Sequence, residues 1–357
     1  MQSFRILISS ACLVFASLLP TAAQESFSHY FLMPSLYNPA AAGASGMLSV
    51  NGIAGIHSLR GDDPDANAYA LTASAPIGPV GLGIAASFDK TLLTSTNIAG
   101  LQANYAFKLA GGRLSAGLGA AYLGMKYDCP TITPITPTTP TTPTTPTTPT
   151  TPITPTTPIT PTTPITPTSK LKGHGIDMSL GLYYSHPQFW GGISLLHALA
   201  PEIDFGQLPS SSTPDDGDET SDIPSANETS NKEITQKVPR TFMAMGGTTI
   251  PLSRKIELMP SAMLRSGGGL TRVELTGRMR FLGILSFGAA WRNAEAATIL
   301  AGVEYRGFHA GYSYSHPLSR AWRDAGGHGR HEITAGYSVR LSASKKPATR
   351  HKSIRIM

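Results

Sequence analysis

Residues 272–281 read RVELTGRMRF, and along them polar and apolar residues alternate at every step except Gly277. Successive side chains of a β-strand point to opposite faces of a sheet, so this alternation indicates a strand with one wet face and one apolar face. The stretches 308–315 and 332–341 alternate in the same way. The sequence therefore predicts an all-β fold whose strands are apolar on one side.

The length and number of these segments separate a membrane barrel from a soluble sandwich, which also alternates. Strands of roughly ten residues with aromatic residues near their ends are typical of outer-membrane barrels. The segments predict a transmembrane outer-membrane β-barrel of about 14 antiparallel strands. Their approximate bounds are 46–59, 66–76, 79–90, 95–109, 112–128, 173–186, 189–198, 238–251, 254–266, 269–280, 282–293, 295–306, 308–316 and 328–341.

The connections between the segments fit the same topology. In an outer-membrane barrel the periplasmic connections are short turns, whereas the connections at the cell surface can be long. The connections after even-numbered segments are short, as at Ile77-Gly78 and Ala110-Gly111, and the longest inserts follow the fifth and seventh segments. Both ends of the barrel chain are therefore expected on the periplasmic side.

Two long extracellular loops of low complexity are expected to interrupt the barrel. Residues 131–168 contain only Thr, Ile and Pro, with Pro at every third position from Pro134 to Pro167, a repeat that favours polyproline II. Residues 207–237 are rich in Ser, Asp, Glu and Thr, a composition that predicts disorder. We expect neither loop to contribute to a core.

The N-terminus has the features of a secretory signal peptide. Arg5 precedes an apolar run from Ile6 to Leu19, which is shorter than the ~20 residues that a membrane-spanning helix requires. The small residues Ala22 and Ala23 indicate cleavage after residue 23. The predicted organisation is a signal peptide at 1–23, a periplasmic N-terminal segment at 24–45, the barrel at 46–341 and a basic periplasmic tail at 342–357.

The charge of the chain is mildly basic, with a formal net charge of +6. Much of the excess lies in the tail 342–357, which contains no acidic residue. A basic run can mark a nucleic-acid or anionic partner, but an exported protein meets no nucleic acid. We therefore interpret the tail as a solvated segment, and we expect outer-membrane lipid to contact the apolar face of the strands.

Five motifs in a fixed order carry a family resemblance. Residues 27–43 read FSHYFLMPSLYNPAAAG, 173–184 read GHGIDMSLGLYY, 190–197 read WGGISLLH, 311–315 read GYSYS and 326–333 read GGHGRHEI. Together they resemble the PorP/SprF family of outer-membrane proteins, which belong to the type IX secretion and gliding machinery of Bacteroidetes. The resemblance extends over essentially the whole mature chain apart from the two loops.

The resemblance implies a barrel similar to the fatty-acid transporter fold and a location in the cell outer membrane. It also implies a non-catalytic role, in which the protein works with other type IX secretion components to engage or anchor exported adhesin-type cargo at the cell surface. The candidate residues for partner binding, or for the family motif itself, are Tyr30, Tyr37, Asn38, Pro39, Gly43, Asp177, Tyr312 and Glu332.

Two questions stay open at this point. Asn38-Pro39 suits a turn, because proline restricts the residue before it and has no donor of its own, but the motif either seats the N-terminal segment against the barrel or binds a partner. The protein is either a secretion component or a transport channel for small solutes or hydrophobic ligands, since both use a barrel.

Charged residues on the wet faces predict a lumen that is plugged by charge pairs. Charges inside a barrel are tolerated when they are paired or hydrated. The residues concerned are Arg272, Glu274, Arg278 and Arg280 on strand ten, with Glu304 and Arg306 on strand twelve.

No catalytic residue, cofactor or metal site is predicted. His174, Asp177 and Ser179 have the residue types of a hydrolytic triad, but they lie on one strand with the histidine on the opposite face, whereas triads assemble from distant segments. His328 and His331 have no third ligand at a suitable spacing, and we interpret both as loop histidines.

Overall fold

Fourteen antiparallel strands form a closed wall in the computed structural model of the chain. The structure describes residues 26–58, 66–91, 94–130, 167–206, 235–293, 295–319 and 329–340. The strands are β1 (Leu48–Ser58), β2 (Ala66–Ile77), β3 (Val80–Lys90), β4 (Thr94–Leu109), β5 (Gly112–Pro130), β6 (Pro167–Ser185), β7 (Phe189–Leu196), β8 (Thr241–Thr248), β9 (Ile256–Gly267), β10 (Leu270–Phe281), β11 (Leu285–Arg292), β12 (Ala296–Tyr305), β13 (Phe308–Pro317) and β14 (Gly329–Val339).

The wall closes because each strand pairs with two neighbours. The first and last strands pair, with Leu48 opposite Val339, and β8 pairs with β9, with Thr241 opposite Gly267. A closed ring has no strand edge whose backbone donors and acceptors would be left unpaired in lipid. The predicted transmembrane barrel of about 14 strands is therefore confirmed.

The two faces of the wall have opposite polarity. On β10, Leu275 is 49% exposed on the outside, whereas Glu274 and Thr276 are buried on the inside. On β14, Ile333 is 63% exposed and Glu332 is fully buried. A band of exposed apolar side chains around a polar interior is the reverse of a soluble protein and is typical of a barrel that faces lipid.

The two ends of the barrel differ in their connections. The connections after even-numbered strands are short, and we call this the turn end; the connections after odd-numbered strands include the long ones, and we call this the loop end. At the turn end Ala110 and Gly111 both have positive φ, 46° and 79°, which is the geometry of a tight hairpin whose twist matches that of the strands.

The loops depart from the sequence-based expectation at their margins. Residues 167 and 168 belong to β6, so the predicted loop 131–168 is shorter than expected. The end of the predicted loop 207–237 is also ordered, because Thr235–Lys237 pairs as a short strand with Glu202–Asp204. The remainder of both loops lies outside the described residues, as do the predicted signal peptide 1–23 and the tail 342–357.

Three single helical turns precede the first strand, at Tyr30–Leu32, Pro34–Tyr37 and Pro39–Ala41. In the part of the chain that the structure describes, no helix has the length and apolar character needed to cross a membrane.

A charge on the outer face should destabilise the barrel according to its depth. Leu101 lies in the middle of β4 and is 68% exposed, and Leu109 lies on the same face at the turn end. Leu101→Arg should lower the free energy of unfolding by roughly 2–4 kcal/mol, whereas Leu109→Arg should cost only about 0–1 kcal/mol. Urea unfolding in lipid vesicles measures both values. Equal effects of the two substitutions would contradict the assigned membrane position.

Candidate functional site

Residues 26–44, which we call the plug, lie inside the barrel. Tyr30, Asn38 and Ala40 are fully buried, and Tyr37 is 1% exposed. The plug runs from the loop end, where Ser28 contacts Glu332 near the start of β14, to the turn end, where Gly43 lies against Ala75 near the end of β2. Because this segment precedes the first strand, the sequence predicts a position on the periplasmic side of the barrel; that prediction is wrong, since the segment lies in the lumen.

The Asn38 side chain anchors the plug to the wall. Its Nδ2 atom donates to the carbonyl oxygens of Leu182 at 3.0 Å and Ile193 at 3.1 Å, on β6 and β7. Its Oδ1 atom accepts from the Ala40 backbone N–H at 2.9 Å. The amide thereby caps the helical turn Pro39–Ala41 and joins it to two neighbouring strands. Because both amide protons and the oxygen are used within the fold, the side chain has no free donor for a partner.

Glycines on the inner face of the wall make room for this contact. A Cβ atom on Gly181 would lie 2.0 Å from Asn38 Oδ1, and one on Gly117 would lie 2.5 Å from the Ala40 Cα atom. A Cβ atom on Gly81 would lie 2.1 Å from the Ala42 oxygen. A larger residue at any of these positions would overlap the plug, so the absence of side chains here is what lets the chain approach the wall.

Polar side chains of the wall bind the main chain of the plug. Gln102 Nε2 donates to the Ser35 oxygen at 2.8 Å, and Ser194 Oγ donates to the Tyr37 oxygen at 2.6 Å. The Tyr30 hydroxyl donates to Ser261 Oγ at 2.9 Å. These three bonds replace hydrogen bonds to water that the polar groups of the plug lose on entering the lumen. Buried polar groups generally need such replacement partners.

Tyr37 is buried and hydrogen-bonded within the plug. Its hydroxyl accepts from the Phe27 backbone N–H at 2.9 Å. The side chain is only 1% exposed and packs in the buried core with Tyr30 and Met33. Tyr37 therefore links two parts of the plug and presents neither a charge nor an exposed ring to a partner.

At the loop end, Glu332 holds the start of the plug. Its Oε2 atom accepts from the Ser28 backbone N–H at 2.9 Å, and its Oε1 atom lies 3.2 Å from Arg330 Nε. The His29 ring nitrogen Nδ1 is 3.7 Å from Oε2. The carboxylate is fully buried, and its hydrogen bonds and arginine neighbour offset the desolvation of its charge.

Charge pairs lie on the inner face, but among the described residues only Arg280 with Glu304 joins two of the predicted members, and the pairs do not fill the lumen by themselves. Glu274 pairs with Arg292 at 2.8 Å, and Arg280 pairs with Glu257 at 2.6 Å and with Glu304 at 3.0 Å. The body that occupies the lumen is the plug. Two of the predicted members behave differently: the Arg278 guanidinium lies 3.3 Å over the Phe31 ring of the plug, and Arg306 is exposed in a turn, 5.2 Å over Tyr305.

Asp177 lies inside the barrel in a second polar pair. Its Oδ2 atom is 2.8 Å from His197 Nδ1, and both side chains are more than nine-tenths buried. The pair borders a cavity of about 50 Å³ that is also lined by Leu36 and Pro39 of the plug. The sequence motifs contained both residues, but the pairing of Asp177 on β6 with His197, which directly follows β7, was not predicted.

Tyr312 is not part of this interior. It faces outward, is 44% exposed and shares a 2.7 Å hydrogen bond with His331 Nδ1. His331 lies in β14, so the prediction that it is a loop histidine is wrong; His328 lies outside the described residues. The structure thus brings Tyr30, Tyr37, Asn38, Pro39, Gly43, Asp177 and Glu332 to the lumen and leaves Tyr312 on the outer face.

The arrangement around Asp177 lacks the geometry of a hydrolytic triad. His174 is exposed on the outer face and stacks on Tyr122 at a centroid distance of 6.2 Å. The Nε2 atom of His197 has no hydrogen-bond partner among the described residues, whereas a catalytic histidine binds a nucleophile there. Within the same residues, no group of three or more His, Cys, Asp or Glu side chains is placed to hold a metal ion.

Filling one inner glycine should unseat the plug without breaking the wall. Gly181→Ala places a Cβ atom against Asn38 and should cost roughly 1–3 kcal/mol, which is typical of overpacking. The temperature at which the folded band converts on unheated gels should fall. Gly277→Ala is the matched control, because this glycine also lies in a strand and a Cβ atom there meets nothing within 4 Å. An unchanged conversion temperature for Gly181→Ala would show that the contact does not constrain the plug.

Comparison with solved structures finds matches to outer-membrane proteins at low sequence identity. The monoaromatic hydrocarbon channel CymD matches with a TM-score of 0.46 and 11% identity, over 90% of this chain and 95% of that chain. A FadL homologue from Pseudomonas aeruginosa matches with a TM-score of 0.43 and 11% identity, over 85% and 95% of the two chains. The translocator domain of the autotransporter NalP from Neisseria meningitidis matches with a TM-score of 0.37 and 14% identity, over 83% and 87%.

Comparison by sequence gives the family. No curated protein matches the chain. The family model described as type IX secretion system membrane protein PorP/SprF matches residues 21–337, which include the plug and nearly the whole wall. The chain therefore belongs to the PorP/SprF family of type IX secretion system membrane proteins.

Proposed function

We propose that this protein is a non-catalytic component of type IX secretion that engages or anchors exported adhesin-type cargo at the cell surface through its loop end. The family membership makes it an outer-membrane component of type IX secretion, and the barrel fold agrees with that location. The family and the fold are typically non-enzymatic.

The observation that carries the proposal is the filled lumen. The plug occupies the interior from the loop end to the turn end, and its central residues are fully buried. Two cavities that border it measure about 20 and about 50 Å³, whereas sites for small organic ligands usually measure about 300–1,000 Å³. The alternative function, a channel for small solutes or hydrophobic ligands, requires the plug to leave.

The position of the motif residues favours a seating role over partner binding. Asn38 and Tyr37 are at most 1% exposed, and their hydrogen bonds are to other parts of the same chain. A partner cannot reach them without extracting the plug. We infer that the motif keeps the lumen closed, and that the cargo contacts surfaces at the loop end, which by the topology of outer-membrane barrels faces the cell exterior.

Planar bilayer recordings separate the closed barrel from a channel. The wild-type protein should show little or no stable conductance, and deletion of residues 26–44 should produce a large one, because the ring of strands would then enclose an open lumen. A stable wild-type conductance similar to that of the deletion variant would contradict the proposal and support the channel.

The cellular role is tested by replacing the anchor. Asn38→Ala together with Pro39→Ala removes three hydrogen bonds of one buried amide, at a cost of roughly 1–3 kcal/mol. In a strain that lacks the chromosomal copy, the amount of barrel in the outer membrane and the amount of cargo on the surface should fall together. Pro187→Ala with Gln188→Ala, in an exposed short turn, should change neither.

The outcomes for cargo distinguish the two roles of the motif. A normal barrel level with lost cargo display would show that the motif binds a partner directly, against the seating role. Normal display in cells that lack the protein altogether would overturn the proposed secretion function.

A further inference from the structure

Three buried arginines converge on the first described residue of the plug. Arg265 on β9, Arg292 on β11 and Arg330 on β14 are each 4–5% exposed. Arg292 Nη2 and Arg330 Nη1 donate to the Ser26 carbonyl oxygen at 3.4 and 3.2 Å, and Arg265 Nη1 donates to Ser26 Oγ at 3.4 Å. All three positions lie at the loop end of their strands, so the cluster faces the cell exterior.

The charges of this cluster are unequally matched. Arg292 binds Glu274 at 2.8 Å and Glu295 at 3.2 Å, and Arg330 lies 3.2 Å from Glu332. Arg265 has no described carboxylate within 4 Å, and its Nη2 atom is buried without a hydrogen-bond partner among the described residues. A buried guanidinium in this state is costly unless an anion is supplied.

The neighbour across the strand pair adds to the imbalance. Arg265 lies directly opposite Arg272 in the pairing of β9 with β10. Like charges directly opposite each other on one face of a sheet are destabilising. Arg272 forms an ion pair with Glu295 at 3.2 Å, and Glu295 also forms an ion pair with Arg292. The site therefore contains four arginines and the carboxylates Glu274, Glu295 and Glu332, and the charge of Asp89 also acts on Arg265.

We propose that Arg265, Arg292 and Arg330 form an anion-binding site at the loop end of the lumen that takes a carboxylate group. Arg265 offers the unused donor Nη2. Arg292 and Arg330 now donate to a neutral carbonyl oxygen, and a carboxylate oxygen in that place would make stronger, charge-assisted hydrogen bonds. A guanidinium presents its donors in a planar fork that matches the two oxygens of a carboxylate.

The site is separable from the anchor of the plug. Ser26 is held by polar contacts with arginines, whereas Asn38 and Ala40 are held by hydrogen bonds and by close packing on glycines at the other end. A ligand can therefore displace Ser26 from the arginines while the part of the plug near the turn end stays in place. Anion binding at this site requires no cargo, because all of its arginines belong to the barrel itself.

Binding of a small dicarboxylate to the purified, detergent-solubilised full chain tests the site. Glutarate should bind saturably by calorimetry, glutaramide, its neutral isostere, should not, and inorganic phosphate should bind more weakly than glutarate. Arg265→Gln should weaken glutarate binding by at least about tenfold, the loss expected when a charge-assisted contact is removed. Arg254→Gln, an exposed arginine in a turn-end connection, should bind as the wild type does.

Each other outcome counts against the site. No glutarate binding by the wild type, or undiminished binding by Arg265→Gln, would overturn it, and phosphate binding as tight as that of glutarate would overturn the carboxylate assignment. Arg265→Gln should fold at least as well as the wild type, since it removes a buried charge without a close carboxylate. If it does not fold, Arg265→Lys keeps the charge but loses the fork, and wild-type affinity in that variant would also overturn the proposal.

Discussion

The structure depends on one constraint, which is that backbone donors and acceptors inside a bilayer have no water to bind. The strands must therefore close into a ring, as the pairings of β1 with β14 and of β8 with β9 show. The side chains of about eight strands suffice to fill the interior of a barrel, and larger rings leave space. A fourteen-stranded ring needs additional chain if its lumen is to be closed. The plug, residues 26–44, supplies that chain.

The lumen and the plug are complementary in a specific way. Near the turn end the inner face of the wall carries glycines, so the backbone of the plug packs directly against the backbone of the wall. Asn38 can therefore donate hydrogen bonds to carbonyl oxygens of two strands. Near the loop end the wall carries long charged side chains, so the plug is held by Glu332 and the arginines around Ser26. Close packing fixes one end, whereas an exchangeable polar network holds the other. This difference would let the proposed carboxylate site at the loop end bind a ligand while the turn end stays closed.

Much of the wall could be predicted from sequence, because strand period and turn spacing are local signals. Residues 272–281 alternate so regularly that their inner and outer faces were assigned correctly, and the strand bounds agree to within three residues except at the start of β6. The location of the plug could not be predicted in the same way. Nothing within residues 26–44 distinguishes a segment that lies beside the barrel from one that enters it.

A signal for the interior position was nevertheless present in the wall sequence. Gly81 with Gly83, and Gly117 with Gly119, occupy alternate positions on the inner face, where a polar lumen would be expected to carry side chains. Such gaps indicate that another part of the chain fills the space. The pairing of Asp177 with His197 and the hydrogen bond of Tyr312 with His331 depend on register between strands, which a family motif alone does not give.

The Asn38-Pro39 part of the chain lies against the inner wall, and a disulfide between two introduced cysteines can detect that contact. A Cβ atom on Gly119 would lie 3.5 Å from Pro39 Cβ, within the range of a disulfide. In a Cys129→Ser background, Pro39→Cys with Gly119→Cys should cross-link on mild oxidation of native outer membranes, whereas Pro39→Cys with the outward-facing Gly277→Cys should not. Failure of the first pair to cross-link, with the cysteine at position 39 reacting freely with a membrane-impermeant maleimide, would contradict the plugged barrel.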